Sequence, residues 1–243
     1  MDKVRHLFLL CIALFLFSIN AQAHWRRVLT VETGSDSVYF KLTRNITLEQ
    51  PYQDSFADEN HSTALFGGLF AGLEQPLRRG LLWQIGLSYY LTSPLTANGT
   101  IFQFTDTSFG NLNFQSQIRS QRVLVETKLL ATLPLTMPLH PYLLAGLGGA
   151  ANTAYGYNET QVMSYAVLHP DRFSSHTTYS PSYALGLGME LELNPRLRLG
   201  GGYRYVYLGS ASLGSMPSQE SSDKLKYKNL VSNEFVFSLS YLA

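Results

Sequence analysis

Two stretches of this chain alternate apolar and polar residues in one shared parity. Across residues 81–91 the odd positions Leu81, Trp83, Ile85, Leu87, Tyr89 and Leu91 are apolar or aromatic, with Gln84, Gly86 and Ser88 between them. Across 183–193, Tyr183, Leu185, Leu187, Met189, Leu191 and Leu193 make one face, and Ala184, Gly186, Gly188, Glu190 and Glu192 the other. A period of two belongs to a strand, since a helix would scatter these side chains around its circumference. The same register predicts strands over 27–33, 63–74, 120–133, 142–152, 197–208 and 232–241, about eight in all. Residues 38–46 also alternate, and would extend or replace the first strand.

The joints between these segments alternate in length. Short ones fall at 77–80, 134–141 and 194–196; long polar ones fall at 34–61, 92–119, 154–181 and 209–231. This predicts an all-β fold, an eight-stranded antiparallel transmembrane β-barrel with short periplasmic turns, long extracellular loops and both termini periplasmic. A soluble lipocalin-type barrel alternates too, but its apolar face points inward. Here the even positions carry glycines 68, 72, 86, 146, 148, 186, 188, 200 and 202 beside Arg122, Glu126, Lys128, Glu190, Glu192, Arg198, Arg204 and Glu234. Small inward residues leave room for long charged ones in a narrow lumen, while Leu82, Leu124 and Phe70 show that the lumen is not purely polar. The odd face turns Trp83, Tyr89, Tyr203, Tyr205, Phe235, Phe237 and Tyr241 toward lipid, where amphipathic rings favour the interfaces. A three-residue turn at 194–196 sets Leu193 opposite Leu197 and Glu192 opposite Arg198.

Composition fits that reading. Charged residues are 14% of the chain, against the roughly 25% usual in soluble domains. A net charge of +1 gives no electrostatic reason to expect nucleic acid. Lys3 and Arg5 precede an apolar run over 7–19 and the small-residue site Ala21-Gln22-Ala23, the pattern of a secretory signal cleaved between Ala23 and His24. The run is shorter than the ~20 residues a spanning helix needs. The expected division is therefore a signal peptide over 1–23 and a barrel over 24–243. The single cysteine, Cys11, falls in the first part, so the mature barrel has neither a disulfide nor a cysteine metal site.

Candidate chemistry is sparse. Gly146-Leu147-Gly148-Gly149-Ala150-Ala151 fits a dinucleotide-binding pattern, but no helical period follows it, and a glycine-lined barrel wall accounts for it. His169, Asp171, Ser174, Ser175 and His176 gather in one expected loop, where a solvated surface accounts for them better than a catalytic triad or a metal site. No catalytic residue, cofactor or metal is expected.

Gly67-Gly68-Leu69-Phe70-Ala71-Gly72-Leu73, the segment Asn194-Pro195-Arg196-Leu197-Arg198-Leu199-Gly200-Gly201-Gly202-Tyr203 and the end Glu234-Phe235-Val236-Phe237-Ser238-Leu239-Ser240-Tyr241 carry a resemblance. With them the chain resembles the small outer-membrane β-barrels of Gram-negative bacteria, the group of OmpA-type membrane domains, opacity-type surface proteins and OmpW. Those proteins usually end on an aromatic residue, whereas Tyr241 is followed by Leu242 and Ala243. The resemblance implies a monomer in the bacterial outer membrane, in contact with lipid and lipopolysaccharide and inserted by the barrel-assembly machinery. A surface ligand is left open.

Four basic and four acidic inward residues suit a paired, closed interior better than an ion-selective pore, which favours one sign. The expected function is a non-enzymatic barrel with an envelope-structural or surface-interaction role. A narrow OmpW-like channel for small or apolar solutes is the alternative, and a lipid-modifying enzyme the third reading.

Overall fold

A computed structural model describes residues 25–42, 45–49, 52–58, 61–78, 80–106, 110–163, 168, 173–215 and 223–243. The expected signal segment and its cleavage point at Ala23 and His24 lie outside these residues. The described strands are β1 (Arg26–Leu42), β2 (Asn45–Glu49), β3 (Tyr52–Asp58), β4 (His61–Arg78), β5 (Leu81–Thr92), β6 (Leu95–Phe102), β7 (Gly110–Ala131), β8 (Leu139–Gln161), β9 (Phe173–Ser174), β10 (His176–Asn194), β11 (Leu197–Ser212), β12 (Gly214–Ser215) and β13 (Lys226–Leu242).

Eight of them close a ring. The antiparallel order β1–β4–β5–β7–β8–β10–β11–β13 returns to β1, so no stave of the ring is left as an open edge. In hydrocarbon that closure is obligatory for strands, because an unpaired backbone amide has no water to turn to. Followed sideways from Tyr39, the register passes Val231, Tyr207, Tyr183, Leu147, Val125, Leu87 and Ala71, and re-enters β1 at Leu29, ten residues lower. Such a stagger tilts the strands by about 35–45° to the barrel axis. At ~3.3 Å per residue, Tyr39 then stands about 25 Å above Leu29 along the axis. The apolar band of an outer-membrane barrel is of similar height, but on β1 only Leu29 and Val31 contribute to it below Tyr39, since Thr33, Ser35 and Ser37 are the outward residues between.

Parity assigns the two faces. In β5 every even residue from Gln84 to Thr92 is buried and every odd one is partly exposed. Leu185, Leu187 and Met189 of β10 are exposed, while Ala184 and Glu190 are buried. Glycine matters most where large inward rings lie flat: a Cβ on Gly68 would sit 2.1 Å from the Tyr90 ring, and one on Gly188 or Gly202 within 2.6 Å of the Tyr142 hydroxyl. Gly146 to Ala151 lie within β8, with no helix at the place a dinucleotide fold requires one.

One rim holds the short turns, the first described residues and the C-terminus. Arg27 and Ala243 exchange backbone hydrogen bonds of 2.9 and 3.0 Å, and the Leu242 N–H donates to the Arg196 carbonyl at 2.8 Å. At the Asn194 turn Glu192 does lie opposite Arg198, but Asn194 rather than Leu193 faces Leu197. A bulge absorbs Leu193, and the Asn194 side chain accepts the Arg196 N–H at 2.9 Å to hold the turn.

The other rim departs from the sequence reading. Much of the chain expected as polar loops is strand: β1 continues to Leu42, joining 27–33 to the first part of the 38–46 segment while Ile46 falls in β2, and β6, β3 and β2 extend the sheet from the upper half of β7. The reason is apolar burial. Phe40, Phe56, Leu95, Ile101, Leu112 and Phe114 form one buried cluster inside this extension, which loops of purely polar composition could not supply.

Candidate functional site

The lumen within the band is filled by charge. Arg122 and Lys128 come from β7, Arg198 and Arg204 from β11, Glu190 from β10 and Glu234 from β13; all are buried, as is Glu126. β1 adds Glu32 and Asp36, and β4 adds Glu74, also buried. This layer thus sets six buried carboxylates against four buried cations, not the even count expected. Glu192 lies at its lower edge with a 23% exposed side chain. The even numbers of Glu32, Asp36 and Glu74 carry the same parity signal as the residues singled out by sequence.

Every cation in the layer has a carboxylate. Arg122 Nη2 lies 2.6 Å from Glu234 Oε1 and donates to Oε2 at 2.8 Å. Arg204 donates from Nε to Glu234 at 2.7 Å and from Nη1 to Glu32 at 3.0 Å, with Glu126 at 3.6 Å. Lys128 Nζ sits between Glu190 at 3.4 Å and Glu32 at 3.6 Å. Arg198 grips Glu74 with both terminal nitrogens and reaches Glu190 at 3.8 Å and Glu192 at 3.9 Å. Glu74 also accepts from Gln84 at 2.8 Å, and His140 meets Glu192 at 3.1 Å.

Tyr90 ties the layer together. Its hydroxyl donates toward Glu32 and Glu126 at 3.0–3.1 Å and accepts from Arg204 at 2.7 Å. The guanidinium carbons of Arg122 and Arg204 lie 4.4 and 4.2 Å from its ring centre, within cation–π range. Sequence reasoning missed Tyr90 because an aromatic at an inward position reads as an exception to the alternation; its even number was the available signal. Among the described residues Asp36 Oδ2, Arg122 Nε and Nη1 and Arg204 Nη2 have no hydrogen-bond partner, so ion pairing holds the layer together without satisfying every buried polar atom in it.

Above it lies the apolar cluster of the extension. Phe66 bridges the two layers: its ring packs on Tyr90 at 6.3 Å, with Arg204 at 5.4 Å. The lumen is thus charged below and oily above.

On the outer wall, Tyr203, Phe235, Phe237 and Tyr241 are exposed, and Trp83, Tyr89 and Tyr205 are half-buried. Trp83 donates its indole N–H to Thr127 at 2.7 Å and packs 5.9 Å from Trp25 at the short rim. A shallow depression of about 620 Å³ opens on this outer wall among Trp83, Leu129, Leu143, Leu185, Leu187 and Tyr203. Of the loop cluster, Ser174 donates to the Ser215 carbonyl at 3.1 Å, Ser175 and His176 are exposed, and His169 and Asp171 lie outside the described residues.

A model of the outer membrane protein beta-barrel domain matches residues 9–241. No curated protein matches the chain in sequence. Among solved structures it is similar to Neisserial surface protein A at 12% identity and a TM-score of 0.43, over 89% of this chain and 96% of that one. It is also similar to OprG from Pseudomonas aeruginosa, at 14% identity and a TM-score of 0.45, over 91% and 99% of the two chains. A third likeness is the outer membrane protease OmpT from Escherichia coli, at 6% identity and a TM-score of 0.45, over 93% and 99%.

Proposed function

Because the chain belongs to the outer membrane protein β-barrel domain family, and so to the bacterial outer membrane, we propose that it is a closed, non-enzymatic barrel that presents its extended upper rim at the cell surface. The rim with the short turns, the first described residues and the C-terminus faces the periplasm; the extension built from β2, β3 and β6 faces outward. The role is envelope-structural or surface-interacting, and the binding face is the folded extension.

One observation carries this reading: a layer of buried ion pairs is overlaid by a buried aromatic and aliphatic layer in the same lumen. A polar solute would have to displace the apolar side chains above, and an apolar one the paired charges below. Eight strands leave an interior that side chains can fill, unlike the aqueous channels of much larger barrels. The ion pairs support rigidity more than net stability, since burying charges costs about what pairing returns.

Liposome swelling tests the closed lumen. Vesicles carrying the protein should swell in isotonic small sugars or amino acids no faster than empty ones, and rapid swelling would restore the narrow-channel alternative. Labelling a Ser175→Cys variant on intact cells with a membrane-impermeant thiol reagent tests the orientation. Reaction in intact cells is expected, and reaction only after lysis would invert the barrel.

A further inference from the structure

One carboxylate of the charged layer has no cation of its own. Asp36 on β1 is fully buried, and its Oδ2 has no hydrogen-bond partner. Among the described residues no Lys, Arg or His lies within ion-pair distance of it. It also faces a like charge, because the register sets Asp36 directly opposite Glu234 on β13. Like charges opposite each other on neighbouring strands are destabilising, and burial removes the water that would screen them.

The ionisable groups around it offer no relief. They are Glu234 from β13, Arg122 from β7 and Arg204 from β11, with Glu32 lower on its own strand; β4, the neighbour on the other side, places Ala64 opposite it. Both guanidiniums are engaged by Glu234: Arg122 lies 2.6 Å from Oε1 and donates to Oε2 at 2.8 Å, and Arg204 donates to Oε2 at 2.7 Å. Tyr90 from β5 packs on both guanidiniums and hydrogen bonds with Glu32 and Glu126, not with Asp36.

Hydrogen counting shows what is missing. Ser232 Oγ lies within hydrogen-bond reach of Asp36 Oδ1 on one side and of Glu234 Oε1, at 3.3 Å, on the other. A serine hydroxyl brings one hydrogen, and an ionised carboxylate brings none. With both carboxylates ionised, one of the two contacts sets lone pair against lone pair. A single added proton completes the row: the acid O–H of Asp36 donates to Ser232, and the Ser232 O–H donates on to Glu234. The proton belongs on Asp36, since Glu234 holds two guanidiniums and Asp36 holds none. A neutral carboxyl is also far cheaper to bury than an unpaired carboxylate. A metal cation in its place would meet Arg122 and Arg204 as like charges.

We propose that Asp36 is a proton-binding site, a neutral carboxylic acid at neutral pH that closes the row Asp36, Ser232 and Glu234. Unfolding then releases this proton, and the barrel loses stability as its surroundings turn alkaline.

Two measurements on the refolded protein in detergent test this. Above about pH 4 an unfolded aspartate is ionised, so unfolding the parent releases one proton that Asp36→Asn does not. With each rise of one pH unit towards neutrality, the folding equilibrium constant of the parent should fall about tenfold more than that of Asp36→Asn. Reversible urea unfolding reads both. Infrared difference spectra of the folded proteins at neutral pH should show a deuterium-sensitive carboxylic-acid C=O stretch in the parent that Asp36→Asn lacks. The asparagine amide can donate to Ser232 as the acid does, so the variant should fold. Should it fail to, Ser232→Ala carries the test: removal of the middle hydroxyl should shift the frequency of that stretch, and an unshifted band would count against the row. Parallel pH profiles, or the same acid band in parent and Asp36→Asn, would overturn the proposal. Stability that followed the sodium concentration instead of pH, in the parent and not in Asp36→Asn, would also overturn it, in favour of a metal-cation site.

Discussion

Arg204 is the most informative residue to remove. Its guanidinium donates to Glu234 at 2.7 Å and Glu32 at 3.0 Å, and lies 3.6 Å from Glu126. Two charge-assisted bonds at about 1.5–3 kcal/mol each bracket a loss of about 3–6 kcal/mol, and breaking a buried ion pair from one side costs about 3–5 kcal/mol. Arg204→Met should therefore destabilise the barrel by about 4 kcal/mol. The structure also says where that loss resides. Glu234 keeps Arg122 at 2.6 Å and Glu32 keeps Lys128 at 3.6 Å, whereas Glu126 has no other cation within 4 Å among the described residues. Adding Glu126→Gln to Arg204→Met should accordingly recover about 2 kcal/mol, although it removes a second charged group. The assay is reversible urea unfolding in detergent or thin bilayers, read by tryptophan fluorescence and by the mobility of unheated samples. A loss below ~1 kcal/mol for Arg204→Met, the range of a solvated surface pair, would mean that water screens this layer and that the lumen is not sealed.

Three further outcomes follow from the geometry. Leu187→Arg on the outer wall should cost about 2–4 kcal/mol near the midplane, and folding in lipid as readily as the parent would reverse the face assignment. Gly68→Ala should destabilise by about 1–3 kcal/mol by displacing Tyr90, while Gly67→Ala, with nothing within 4 Å of its new Cβ, should be near neutral; equal effects would show that the crowding is not real. In double-mutant cycles Arg198 should couple strongly to Glu74 and by less than about 1 kcal/mol to Glu192, whose nearest approach is 3.9 Å; the reverse order would contradict the pairing of Arg198 with Glu74 across the lumen.

Parity made most of the barrel legible before any coordinates. The closed ring, the short rim and the burial of Arg122, Glu126, Lys128, Arg204 and Glu234 all follow from odd positions meeting lipid and even ones meeting the lumen. What alternation does not encode is azimuth: Glu32 on β1 and Glu126 on β7 share Tyr90 only because the ring closes with a ten-residue stagger, a property of all the strands together. Arg198 and Glu74, 124 residues apart, are joined for the same reason. Above the membrane the period weakens, since bulges such as that at Asn229 reset the facing of every later residue. Hence Lys228 points outward despite its even number, and the segments around Phe56, Ile101 and Phe114 read as polar loops although their apolar side chains share one buried cluster.

Planar-bilayer recording of the purified protein tests the sealed lumen most directly. The ion-paired and apolar layers predict no steady conductance at moderate voltage, with leak currents emerging only when Arg122, Lys128, Arg198 and Arg204 are replaced together. Steady porin-sized conductance in the parent, unaltered by those replacements, would contradict it.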